Sequence, residues 1–242
     1  RMKYAATLIQ FPLGLVVTAV SVAILPTLSR YATEADEEAF RATLAQGLRL
    51  VLILVLPAAV GLSVLVGPGV ALRVQPGQVR PSDTQAASVA LRFSVLGLIF
   101  AALDQPLIYA FYARKNTWTP TLVGVGTVCF YIVLAVLPPL LGEPTLWALV
   151  LANSLKLTSH ALLMLYLFTR RIGGLKPYRL GHTVLIASGA AVAMALPIYS
   201  LSTGLEPLVP SGSLGILIRV VVAGGLGGIF YLGLLSLMDV KE

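Results

Sequence analysis

The chain has 242 residues and a mass of 25.5 kDa, with 57% hydrophobic residues, 11% charged residues and a mean hydropathy of +0.91. A soluble domain carries about 25% charged residues, so this composition excludes a soluble enzyme, a nucleic-acid binder and a disordered tail. The net charge of +7 then reads as basic loops that orient an integral membrane protein.

A membrane-spanning helix needs about 20 mostly apolar residues. Seven stretches qualify: 5–28, 50–72, 90–112, 119–141, 145–168, 183–204 and 214–238. None alternates with period two over ten-residue blocks, so a barrel is disfavoured and lipid leaves only helices. The expected fold class is therefore an all-α integral membrane protein with seven transmembrane helices. Pro12, Pro57, Pro106 and Pro197 lie inside these spans and mark expected kinks.

After the first span, Thr33-Glu34-Ala35-Asp36 fits a capping box at a helix start. Phe40, Leu44 and Leu48 follow at spacing four on one face. Glu34, Asp36, Glu37 and Glu38 read as a solvated first turn favoured by the helix dipole. The segment predicts a short interfacial helix feeding the second span, with partner binding as the other reading.

The third span carries Asp104, and the fourth carries the single cysteine, Cys129. One cysteine excludes an intramolecular disulfide. The fifth span carries Lys156 and His160, four apart and so on one face. The third and fifth spans run in the same direction. Asp104 and His160 each precede the inner end of their span by eight residues, so they are expected at equal depth. Ionisable groups are costly in hydrocarbon and face a bundle interior or a water-filled cavity. Two readings of Asp104, Lys156 and His160 stand side by side. One is a buried ion pair that fixes helix packing. The other is a transport cavity that holds an anionic substrate or moves a proton.

The sixth span is rich in small residues from Ser188 to Ala195, and the seventh contains Gly224-Gly225-Leu226-Gly227-Gly228. Gly224 and Gly228 make a G-x-x-x-G spacing that lets helices approach closely. A smooth groove for a lipid tail is the sharper alternative. Arg219 lies close to the outer end of the last span, where snorkelling explains it.

The connections alternate in charge. Arg30, Arg41, Arg49, Arg114, Lys115, Arg170, Arg171, Lys176, Arg179 and Lys241 fall on one side, against Arg1, Lys3, Arg73, Arg80 and Arg92 on the other. The side with ten basic residues is expected to face the cytoplasm, which puts the N-terminus outside and the C-terminus inside. The chain begins with Arg1 rather than Met, which suggests a piece of a longer chain. With only His160 and His182, a three-histidine zinc site is impossible, and no nucleotide-binding, zinc-protease or serine-hydrolase motif occurs. No metal, cofactor or enzymatic activity is expected.

Certain motifs carry a resemblance. Gln10-Phe11-Pro12-Leu13-Gly14, Ala23-Ile24-Leu25-Pro26-Thr27-Leu28-Ser29-Arg30, Gly47-Leu48-Arg49 and Leu56-Pro57-Ala58-Ala59-Val60-Gly61 come in that order. Gly77, Asp83-Thr84, Phe111-Tyr112-Ala113 and Thr119-Pro120 continue the series. Together they resemble the MurJ (MviN) family along essentially the whole chain. That family flips lipid II, the lipid-linked peptidoglycan precursor, across the bacterial inner membrane. It belongs to the MOP transporter superfamily, with two six-helix lobes and two extra helices.

The resemblance implies that this chain corresponds to the last seven helices. Residues 1–170 would be five helices of an incomplete second lobe. Residues 171–242 would be the two extra helices, forming a groove for a lipid tail. The implied partners are lipid II or a similar polyprenyl-diphosphate-linked sugar, membrane lipids and the missing N-terminal lobe, and not nucleic acid. The chain also departs from the family. Thr7 stands where a cavity arginine is often found, and Gly77-Gln78-Val79 lacks the aromatic residue of the G-x-F motif. The fourth span has Thr127, Cys129 and Tyr131 but no Asn or Asp, so no sodium site is carried over. Lys156 is a candidate to replace the missing positive charge. The alternatives are an exporter of another lipid-linked sugar or drug, and a non-transporting membrane scaffold.

Overall fold

The computed structural model describes residues 13–73, 81–140, 146–210 and 213–238. Thr7 and the Gly77–Val79 motif lie outside them. Seven α-helices are described: α1 (Thr18–Glu34), reached through a π-helical turn at Leu13–Val17, α2 (Glu37–Arg73), α3 (Pro81–Ala113), α4 (Trp118–Leu140), α5 (Leu146–Arg171), α6 (Leu180–Gly204) and α7 (Ser213–Leu237). They correspond one to one with the seven predicted spans. Windows in α2, α4, α5, α6 and α7 are long and apolar enough to cross a membrane, and α3 contributes a shorter apolar stretch, Gly97–Ala113.

The sharpest departure from expectation is α2, which runs unbroken for 37 residues. The separate interfacial helix expected before the second span is simply its opening turns. Nothing between Glu37 and Pro57 stops the helix, and Gly47 is there for packing: a Cβ at that position would stand 2.7 Å from Ile24 Cδ1 of α1. The start also differs from the expected capping box. Asp36 is the cap, its Oδ1 accepting from the Ala39 amide at 2.9 Å, while the Thr33 hydroxyl turns back to the Ser29 carbonyl within α1.

Burial follows the apolar periodicity. Phe40, Leu44 and Leu48 of α2 pack with Leu28 of α1, Leu107 and Phe111 of α3, and Met164 and Phe168 of α5. One turn further along α2, Val51, Val55 and Ala59 face Val17 of the π-helical turn, Val20 of α1, and Leu98 and Ala102 of α3. Leu52 and Leu56 face the other way, onto α6 and α7. An α-helix that is apolar all round belongs in a core. Of the apolar window in α2, 44% is buried, against 11% in α4. The helix order across the molecule therefore runs α4, α5, α3, then α2 with α1, then α6 and α7.

The last two helices meet through small residues. The buried positions of α7 recur every fourth residue at Gly215, Arg219, Ala223, Gly227 and Tyr231. A Cβ on Gly227 would stand 2.4 Å from Ile198 Cγ1 and 3.3 Å from Met194 Cγ, both on α6. The close approach expected at Gly224 and Gly228 is thus made at Gly227; Gly228 has open space around it. Arg219 also departs from the snorkelling reading. It is buried, with its Nη1 3.5 Å from Glu206 Oε2 in the turn after α6.

Three basic connections meet at one end of the bundle. Arg49 donates to the Tyr178 carbonyl at 2.8 Å, Tyr178 donates through its hydroxyl to the Glu38 carbonyl at 3.2 Å, and Arg114 pairs with Glu37. These bonds join the connections α1–α2, α3–α4 and α5–α6, as the alternating charge required. The turns are tight: Ala35, Lys115 and Arg179, one in each, adopt left-handed backbone.

Candidate functional site

The site is built on the contact between α3 and α5. These helices run parallel and touch at about every second turn. Gly97 meets Ser154, where an added Cβ would stand 3.1 Å from the Ser154 Cα. Phe111 meets Phe168 edge-to-face, with ring centroids 6.3 Å apart. Between these two contacts sits the pair of Asp104 and His160. Two turns of helix take about 7 residues, so a parallel pair repeats its contacts at that interval. The equal depth inferred for Asp104 and His160 follows from this register.

Asp104 Oδ2 lies 2.7 Å from His160 Nδ1, and both side chains are only 13% exposed. The contact is close but out of line for a hydrogen bond from the ring N–H, and Asp104 Oδ1 has no partner among the described residues. The other ring nitrogen faces α4: Nε2 would be 3.8 Å from a Cβ on Gly124. An alanine at 124 would just touch the imidazole, and a bulkier side chain would crowd it. One turn away on α4, the buried Thr127 hydroxyl donates back to the Val123 and Gly124 carbonyls, so it does not reach His160.

Lys156 behaves differently. Its ammonium lies 5.7 Å above the centre of the Tyr131 ring of α4. The negative face of an aromatic ring attracts such a cation. Lys156 has no carboxylate partner among the described residues. The three ionisable residues thus share a region, but only Asp104 and His160 form a pair. The sequence placed Lys156 and His160 on one face, and that face turns towards α4. It did not point to Tyr131 or Gly124 as their neighbours, because neither residue type is unusual in an apolar span.

Chemically, the pair sets a carboxylate against an imidazole inside an apolar helix contact. The ammonium of Lys156, held only by a ring face, stays available to an anion. No group of three His, Cys, Asp or Glu side chains converges among the described residues. Cys129 is exposed on α4.

Comparison with known proteins places this architecture. The profile of a family described as "Lipid II flippase MurJ" matches residues 1–222. The chain belongs to that family. A Vibrio cholerae protein named "Probable lipid II flippase MurJ" is 36% identical over 133 residues, covering 55% of this chain and 25% of its own length. A Rhizobium tropici protein of the same name is 28% identical over 232 residues, covering 92% of this chain and 43% of its own length. A solved structure titled "Lipid II flippase MurJ, inward closed conformation" superposes with a TM-score of 0.67 at 22% identity, covering 97% of this chain and 48% of the other. That likeness shows a shared fold. The chain spans less than half the length of the curated relatives it matches. With five membrane-length apolar spans among its described residues, it is a multi-pass membrane protein of a transporter family.

Proposed function

We propose that the chain is the C-terminal part of a flippase that moves lipid II across the bacterial inner membrane by alternating access. The observation that carries this reading is the family match along residues 1–222. In such a cycle a cavity opens to each side in turn, and cations hold the diphosphate-linked head. Lys156 is the residue of this chain best suited to that contact, because no carboxylate among the described residues neutralises it. Residues 1–170 then belong to the second lobe. Residues 171–242 contribute a pair of helices along which the polyprenyl tail lies, beside the open space at Gly225 and Gly228. The end bearing Arg49, Arg114 and Arg171 faces the cytoplasm, together with the C-terminus.

One observation favours a second role for two of the residues. Asp104 and His160 already occupy each other, which suits a lock between α3 and α5 better than a substrate contact. A lipid II translocation assay on the full-length protein in proteoliposomes separates the roles. Lys156→Gln should slow flipping and weaken lipid II binding without changing thermal stability. Asp104→Asn should act through stability first. Unchanged flipping by Lys156→Gln would remove it from the cavity. The isolated chain should not transport, since half the transporter's length is absent from it; robust flipping by it alone would overturn the assignment to one part of a larger machine.

A further inference from the structure

Ten residues beyond Asp104, and so about 15 Å further along α3, the basic end of the bundle contains an open pocket of about 230 Å³. It is lined by Phe111, Arg114, Asn116, Arg171 and Ile172. Phe111 and Ile172 are buried and make an apolar floor. Two guanidinium groups and an amide form the polar wall. Each polar group is held in place. Arg171 Nη1 donates to the buried Thr119 hydroxyl at 2.9 Å, Arg114 is drawn towards Glu37, and Asn116 Oδ1 accepts from the Thr119 amide at 3.1 Å. That last bond caps the first turn of α4, so the positive end of a 23-residue helix lies at the pocket. Among the described residues, Glu37 is the carboxylate that pairs with a pocket arginine. Arg170 stacks on Tyr166, 5.2 Å from the ring centre, and Arg41 lies against Gly173.

The surroundings say what kind of anion fits. Trp118 is 74% exposed, and Tyr112 and Tyr166 are about half exposed. Amphipathic rings gather at the level of lipid headgroups. One turn deeper on α4, Leu122 and Val125 begin an exposed apolar face that continues through Val133 to Leu140. A ligand seated on the arginines would therefore have hydrocarbon directly below it.

We propose that Arg114 and Arg171 bind the phosphodiester of an anionic membrane phospholipid, with its acyl chains laid along the outer face of α4. Two fixed guanidinium forks match the oxygens of a phosphate, and such charge-assisted bonds are the strong kind. Glu37 competes for Arg114, so the lipid displaces an internal carboxylate when it binds. The site is separate from the Asp104–His160 pair and from the proposed substrate contact at Lys156.

The test measures binding of dioctanoyl phosphatidylglycerol to the purified protein in neutral detergent, by native mass spectrometry and by thermal shift. Dioctanoyl phosphatidylcholine and inorganic phosphate serve as the other arms. Phosphatidylglycerol should bind and stabilise, phosphatidylcholine should do so far less, and inorganic phosphate should compete only weakly. Arg171→Gln should weaken phosphatidylglycerol binding by about tenfold, the loss of one charge-assisted contact. Arg171→Lys should recover part of it. Glu37→Gln should tighten binding several-fold, which a purely structural role for the Arg114–Glu37 contact would not produce. Equal binding of the two lipids, or no change in Arg171→Gln and Glu37→Gln, overturns the site. Inorganic phosphate that binds as well as the lipid overturns the lipid assignment and leaves a soluble phosphate group as the ligand.

Discussion

At the residue scale, the Asp104–His160 contact pairs two ionisable side chains that are each only 13% exposed within the helix bundle. Removing one member of a buried pair leaves the other uncompensated. His160→Ala, which strands a carboxylate, should lower stability by about 3 kcal/mol. Asp104→Ala strands an imidazole rather than a carboxylate, so it should cost less, about 1–2 kcal/mol. The double variant should be less damaged than the sum, as thermal unfolding in detergent can establish; additive losses would mean that the two groups do not interact. Lys156→Gln should change stability by less than about 1 kcal/mol, the size of a partly exposed cation–ring contact. The tight turns give a prediction of opposite sign. Ala35 and Lys115 have φ near 58°, where a side chain costs about 1–2 kcal/mol. Ala35→Gly and Lys115→Gly should each stabilise by up to about 1 kcal/mol after glycine's larger unfolded entropy is subtracted. A fall in melting temperature in both would argue against the left-handed turns. Asp104 and His160 could be read from the sequence because charge in an apolar span is rare. Tyr131 could not, because only the rotation of α5 decides which ring Lys156 meets.

At the element scale, a proline in α2 explains a bond from α7. Pro57 has no amide hydrogen, so the Ile53 carbonyl four residues earlier loses its helical donor. The Tyr231 hydroxyl of α7 donates to that carbonyl at 2.9 Å. A missing backbone bond in one helix thereby becomes an anchor for another. Tyr231→Phe should cost about 1–2 kcal/mol by leaving a partly buried carbonyl unpaired. The same change should be nearly neutral in a Pro57→Ala background, where the restored amide serves Ile53 from within α2. Equal losses in both backgrounds would show that the hydroxyl matters for another reason. The sequence marked Pro57 as a kink, which is a local inference. It could not supply the partner, 178 residues away. The glycine cluster teaches the same limit. Gly224 to Gly228 was legible as a place of close approach, but the contact falls on Gly227, in step with Arg219, Ala223 and Tyr231. Spacing within one helix does not reveal which of its faces a neighbour will use.

At the scale of the whole molecule, sidedness is the property that loop charge determines most directly. With Cys129 replaced, a cysteine at Leu208 should react with a membrane-impermeant thiol reagent added outside intact cells, and one at Gly174 should not. The reverse pattern would invert the orientation. Thr145 and Ser211 would report the same outer side by sequence, but they lie outside the described residues. Helix number was legible because hydrocarbon thickness imposes one length on every span. The continuity of α2 was not, since a polar first turn followed by an apolar run looks the same whether or not the helix pauses between them. The lateral order of helices was also beyond reach. α2 and α4 are both apolar enough to face lipid, so hydropathy does not distinguish the central helix from the peripheral one.

The separation of chain order from lateral order has a consequence for biogenesis. A nascent chain delivers its helices to the bilayer from the N-terminus onwards. α3 arrives with Asp104 while His160 is still unmade, fifty-six residues behind. α4 follows next; it has no charged residue and a mean hydropathy of 2.2, so lipid alone can accept it. α5, at 1.4 and bearing Lys156 and His160, is the least apolar of the five membrane-length spans among the described residues, and it comes last of the three. It settles between its predecessors, against Asp104 on one side and Gly124 on the other. Translation thus holds a carboxylate in waiting as the recruiting point for a helix that would otherwise enter the membrane reluctantly.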